Sequence, residues 1–213
     1  MNEVRAARPR GRSAAKRQAI AEAAREVFLR DGFTRASVDE IATQASVSKR
    51  TIYNHFTDKE ALFTEIIEES SARTATAFAA AVTAHLAHVT DVEADLVAFG
   101  RAWLAPDSAE GADHGDLVRL VIAEAVHHPA IVRAWHAAGP RRARRELAAV
   151  AERLSGEGHL AVADPDEAAA HFIALVHSPV RERSLYGALP LPESEVDRIV
   201  RDGVRAFLRL HGS

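Results

Sequence analysis

The chain has 213 residues, 47% of them hydrophobic, and a formal net charge of −3. That length suits a small head on a larger body, with enough apolar residues for a sizeable core. The absence of cysteine excludes disulfides, thiolate zinc sites and cysteine nucleophiles. No apolar run approaches the roughly 20 residues that span a bilayer, and no apolar segment follows the charged N-terminus as in a secretory signal. The expectation is a soluble, cytoplasmic protein.

Charge is unevenly distributed. Residues 1–60 carry 12 Lys/Arg against 8 Asp/Glu, and the remainder 15 against 22. A basic head on an acidic body suits a protein that meets a polyanion at one end. Residues 1–15 hold Arg5, Arg8, Arg10 and Arg12 without an apolar pattern. They read as a disordered basic arm, either a phosphate or minor-groove contact or a merely solvated tail.

From Ala14 the pattern is helical, with Ile20, Ala23, Ala24, Val27 and Phe28 on one face, Gly32 as the C-terminal cap and Phe33 tucked beneath. A second helix is expected over about Val38 to Ala45, buried through Val38, Ile41, Ala42 and Ala45. Ser37 with Glu40 forms one capping box, and Thr57 with Glu60 another. The turn Ser46-Val47-Ser48 leads into a third helix, about Lys49 to His55, whose inner residues are Ile52 and Phe56. Its remaining side chains, Lys49, Arg50, Thr51, Tyr53, Asn54 and His55, are groups that bond phosphates and base edges. This reads as a helix-turn-helix whose second helix enters the major groove.

A long fourth helix follows, with Leu62, Phe63, Ile66 and Ile67 on the head and Phe78, Val82 and Leu86 on the body. The next helix covers Asp91 to Ala105, and residues 106–116 read as a loop rich in Asp and Gly. Leu117 to His127 is apolar on most sides but interrupted by Glu124. Pro129 opens a segment kinked at Gly139-Pro140 and ended by 155–158. Asp164-Pro165-Asp166-Glu167 starts a helix running past Pro179 to about Leu185 or Tyr186, and the last helix spans about Glu193 to Leu210. The expected fold is all-α with about nine helices: an arm 1–15, a helix-turn-helix head 16–62 and a helical body 63–213.

The stretch A-S-V-D-E-I-A-T-Q-A-S-V-S-K-R-T-I-Y-N-H-F-T-D-K-E-A-L-F, 36–63, with the preceding F-L-R-D-G-F, resembles the tetracycline-repressor (TetR) family of bacterial transcription regulators. The chain departs from the family pattern at Ser46 and Arg50, where glycine is frequent. More loosely, L-V-R-L-V-I-A-E-A (117–125), the H-P that follows and the D-P-D-E-A-A helix start are similar to AefR-like members.

The resemblance implies a homodimeric regulator that binds a double-stranded DNA operator and responds to a small-molecule effector, with repression released by the ligand. An activating or ligand-independent regulator is the alternative. Lys49, Arg50, Thr51 and Asn54 are the candidates for base edges. Tyr53, His55 and Lys59 are the candidates for phosphates, with Ser37 and Ser48 doing both capping and phosphate contact. The dimer is expected through Phe172, Val196, Ile199, Val200, Val204, Phe207 and Leu208, although one face of that stripe must pack on its own body.

Candidates for a mostly apolar ligand cavity are Phe78, Phe99, Trp103, Leu120, Val121, Trp135, Phe172 and Val176; for each of them ordinary core is the blander reading. Glu124 joins them either as a ligand anchor or as partner to a body arginine. His85 and His88 have a spacing zinc can use, but without cysteine or a His-Glu-x-x-His pattern no metal is expected. No cofactor motif and no catalytic constellation is present, so enzymatic activity is not expected.

Overall fold

The computed structural model describes residues 10–105 and 109–213. Eleven α-helical segments follow one another: α1 (Arg10–Asp31), α2 (Val38–Gln44), α3 (Lys49–His55), α4 (Lys59–Leu86), α5 (Val92–Leu104), α6 (Ala109–Ala123), α7 (Pro129–Ala138), α8 (Pro140–Gly156), α9 (Pro165–Phe172), α10 (Ser178–Arg183) and α11 (Glu193–His211). A π turn, Ile173–His177, joins α9 to α10 without a break, and α7 continues into α8 across Gly139. Counted as continuous rods, they are nine. Among the described residues the only β-type pairing is an isolated bridge between Leu160 and Gly212.

The head is built as its apolar pattern dictates. Ile20, Ala24, Val27 and Phe28 of α1, Ile41 and Ala42 of α2, and Ile52 and Phe56 around α3 are all buried. The expected basic arm lies outside the described residues as far as residue 9, but 10–15 belong to α1. Gly32 ends that helix with φ 79°.

The α2–α3 turn is a Schellman arrangement: Val47 N–H donates to the Ala42 carbonyl at 2.9 Å and Ser46 N–H to Thr43 at 3.1 Å. Ser46 carries the left-handed residue at φ 52°, which costs a side chain on the order of 1 kcal/mol. Ser46→Gly relieves that strain but loosens the unfolded chain. The expected net gain is about 0.5 kcal/mol in urea unfolding, and a clear loss would mean that the Ser46 side chain itself holds the turn.

Two capping expectations need correction. Ser37 caps α2 by accepting from Asp39 N–H at 3.2 Å, but Glu40 does not complete the box, because its carboxylate pairs with Arg30. At α4 the cap is Asp58, one residue later than Thr57, accepting from Ala61 N–H at 2.7 Å. Glu60 instead meets His128 Nδ1 at 3.1 Å.

The 28-residue α4, about 40 Å long, runs from one hydrophobic core to a second. The first core surrounds the head and includes Ile66 and Ile67 of α4, and also Leu117, Val121 and Ile131 of α6 and α7. The second is the body core, which includes Phe78, Leu86, Phe99, Leu147, Leu154, Phe172, Val200 and Phe207. The head therefore has no core of its own, and its packing crosses the boundary expected near residue 62.

The region expected as a loop over 106–116 is helical from Ala109. Gly115 is a packing residue, since a Cβ there would lie 2.9 Å from the Tyr186 carbonyl oxygen. At its other end α6 stops at Ala123, so Glu124 to His127 form a turn.

The α9–α10 rod widens because Pro179 has no N–H for the Leu175 carbonyl. The Ser178 N–H reaches back to Ile173 instead. Helix α11 packs so closely here that a Cβ on Gly203 would collide with that Leu175 carbonyl. This packing overturns most of the expected dimer contact. Phe172, Ile199, Val200, Val204 and Phe207 are buried inside a single protomer, and Val196 and Leu208 are partly buried against the same core. Those five residues serve their own body, while Val196 and Leu208 stay partly exposed.

Candidate nucleic-acid interface and body cavity

Helix α3 is fixed on every side but one. Ser48 caps it by accepting from Thr51 N–H at 3.1 Å. Its far end is held by Arg17 of α1, which donates to the His55 carbonyl at 2.8 Å and to Glu65 Oε1 at 2.7 Å. The same guanidinium lies 4.4 Å over the Phe56 ring. Lys49, Arg50, Tyr53 and Asn54 are exposed, with Thr51 and His55 half-buried. Among the described residues, the side chains of Arg50 and Asn54 make no hydrogen bond within the chain. Lys49 pairs with Asp39 at 2.9 Å, which raises its pKa. Exposed pairs of this kind contribute at most about 1 kcal/mol, so this one can be exchanged for a phosphate.

Two expected site residues have other tasks. Lys59 donates to the Phe33, Thr34 and Ala36 carbonyls at 2.7, 3.2 and 3.2 Å, with its ammonium 4.7 Å over the Phe33 ring. Its three donors are used in closing the α1–α2 loop. Glu124 accepts from Thr34 Oγ1 at 3.2 Å and faces Lys59 electrostatically. It belongs to the junction of head and body, outside the cavity lining, and among the described residues no arginine pairs with it.

The cavity lies between α4, α5, α6, α7, α8 and the α9–α10 rod and has a volume of about 150 Å³. An apolar cavity of about that size can hold an aromatic ring. Of the expected lining, Phe78, Trp103 and Trp135 are there. Phe99 stands behind, packed on Phe78 and Trp103 with ring centroids at 5.6 and 5.8 Å. Phe172 and Val176 are body core, and Leu120 and Val121 belong to the head's core.

Sequence reasoning missed the polar lining: Ser71, Thr74, His114, Arg142, Glu146, His177, Arg181 and Tyr186. The readable signal was His177 and Arg181, one turn apart on a rod whose neighbours Val176 and Val180 are buried. His114 Nδ1 bonds Ser70 Oγ at 2.9 Å, and burial pushes its pKa down to about 4. His177 stacks on Trp103 at 4.3 Å, and burial holds its pKa down to about 3. Both rings are therefore neutral near pH 7.

Family models match two stretches of this framework. Residues 20–66 match the description "Bacterial regulatory proteins, tetR family", and residues 94–213 match "AefR-like transcriptional repressor, C-terminal domain". The chain belongs to the TetR family. It is a TetR-family DNA-binding transcriptional regulator. Among curated proteins, the transcriptional regulator UidR of Escherichia coli K12 is 42% identical over 57 residues. That match spans 27% of this chain and only 29% of UidR.

Solved structures are similar over nearly the full length. A TetR-family regulator from Mesorhizobium loti is 29% identical with TM-score 0.84, covering 95% of this chain and 99% of that one. The flavonoid-responsive regulator FrrA is 28% identical with TM-score 0.74, covering 93% and 98%. Among the described residues no helix is long and apolar enough to cross a membrane.

Proposed function

We infer that this TetR-family member is a cytoplasmic repressor that reads a palindromic operator as a homodimer and leaves it when a small molecule occupies the body cavity. The observation that carries the reading is the uncommitted face of α3: Arg50 and Asn54 stand exposed on a helix otherwise capped, clamped and packed. Arginine matches guanine and asparagine matches adenine by donor and acceptor pattern. One head covers few base pairs, so two heads on a two-fold axis are required for a specific site. With the α11 stripe committed to the core, the partner surface falls to the outward sides of the α9–α10 rod and α11, where Ala174, Arg201 and Arg205 are exposed.

Control by a ligand is supported by the sharing of elements. Helices α6 and α7 line the cavity through Val118 and Trp135, and they enter the head's core through Val121 and Ile131. A ligand that favours one position of these helices shifts the spacing of the heads by its difference in affinity between the two states. The repressor description of the matching C-terminal model and the flavonoid response of FrrA agree with a released repressor and an aromatic effector.

Footprinting of the DNA flanking its own gene tests the reading. A protected palindrome is expected, and Arg50→Ala should weaken it roughly 10- to 100-fold at particular base pairs. Protection without sequence preference would sink operator recognition, and an even loss across all sequences would make Arg50 a phosphate contact.

A further inference from the structure

The cavity carries a charge that the fold leaves unmatched. Arg181, on α10, borders it together with Trp103, Trp135 and His177. Among the described residues no carboxylate pairs with this guanidinium. Its one side-chain hydrogen bond runs from Nε to His177 Nε2 at 3.3 Å. Accepting that bond requires the neutral ring of His177 with its proton on Nδ1, in keeping with a pKa held near 3. Burial also draws Arg181 below the ordinary arginine range, yet an arginine stays charged at neutral pH.

A second group on the same lining is unsatisfied. Ser71 Oγ is fully buried and has no hydrogen-bond partner among the described residues. A partly buried cation without a counter-ion and a buried hydroxyl without a partner each cost stability. One anionic group with two oxygens relieves the first cost through the guanidinium fork, and its remaining acceptor capacity suits a hydroxyl on the lining of the same cavity. The histidines supply no competing charge, since His114 and His177 are neutral. Arg142 and Glu146, also on the lining, are of opposite sign. The remaining walls are aromatic and aliphatic, and both tryptophans of the chain stand on them.

We propose that the cavity binds small aromatic carboxylic acids as anions, the carboxylate paired with Arg181 and the ring held against Trp103 and Trp135. This rests on the reading of the cavity as a ligand site and names the class of ligand. It also revises the expectation of a mostly apolar one.

The test is isothermal titration calorimetry on the full chain without DNA, using 2-naphthoate and its neutral isostere 2-naphthamide. The acid is expected to bind at least about tenfold more tightly than the amide, a discrimination typical of one charge-assisted bidentate pair. Arg181→Met, checked for folding by circular dichroism, should remove the preference, and Arg181→Lys should keep part of it. Equal affinities, no binding of the acid, or a preference that survives in Arg181→Met would overturn the proposal. The comparison of acid with amide on the unaltered protein decides it even where the variants fold poorly. Failure here leaves the operator footprint standing. Success without release of the operator by 2-naphthoate would keep the ligand class and remove this class from control of DNA binding.

Discussion

Gly203→Ala is expected to destabilise the protein by about 3 kcal/mol or more, the upper range of overpacking. In a solvent-facing helix the same change helps, by roughly 0.5–1 kcal/mol, because alanine restricts the unfolded chain. The sign reverses here because of Pro179, 24 residues earlier in the chain. Lacking an N–H, it frees the Leu175 carbonyl from the helix ladder, and that carbonyl lies where a Cβ on Gly203 would be. The added carbon also meets Val176 Cγ2 at 3.1 Å. Neither neighbour gives way easily, one being backbone and the other fully buried. Urea unfolding at fixed protein concentration measures the loss. Gly156→Ala is the matched control, since nothing lies within 4 Å of its Cβ position, and it should be neutral or slightly stabilising. A Gly203→Ala protein as stable as that control would mean that α11 does not approach the rod this closely.

Lys59→Met separates two readings of a lysine at the foot of the head. As a loop clasp, Lys59 satisfies three carbonyls, two of them on the buried residues Phe33 and Ala36. Its removal should cost about 2–3 kcal/mol, the range for hydrogen bonds that involve a charged group and leave buried acceptors unpaired. For a chain of this size that corresponds to a fall in Tm of roughly 4–12 °C. The salt dependence of operator binding should then be unchanged in the folded fraction. As a phosphate contact, Lys59 would behave oppositely, with unaltered stability and a salt slope reduced by about 1 for each head. Melting curves and binding at a series of salt concentrations distinguish the two.

The head was legible almost residue by residue, because its signals are local. Caps, a left-handed turn position and a seven-residue helix with one apolar face all lie within a few residues of one another. The α3 bounds, Lys49–His55, were read from that pattern alone and the structure gives the same bounds. Errors there were of one step, as at Thr57 against Asp58, where two adjacent residues can both cap and the sequence does not say which one leaves the helix.

The body was legible as helices and apolar stripes but not as surfaces. Val200 and Phe207 carry the same pattern whether they face a partner or their own core, and only the approach of α11 to α5 and the rod decides it. Glu124 read as a charge on an apolar face because α6 was expected to run through it. The helix ends at Ala123, and the turn that follows swings the carboxylate to Thr34, 90 residues distant in sequence. The cavity was harder still. Trp103 and Phe99 differ by one helical turn, yet one lines the space and the other backs it. Arg181 drew no notice because an arginine near a helix end is usually solvated, and its missing counter-ion is a fact about every neighbouring element at once.

The shared core around α1–α4 bears on how such proteins can be recombined. Exchanging heads between relatives to redirect an effector to a new operator assumes that the head can be cut away cleanly. In this chain the cut would strip Leu117, Val121 and Ile131 from the residues they cover. A graft that carries only the first 66 residues leaves that underside mismatched. One that matches those three positions as well as the head transplants a closed unit, with the α6–α7 lever still seated in it.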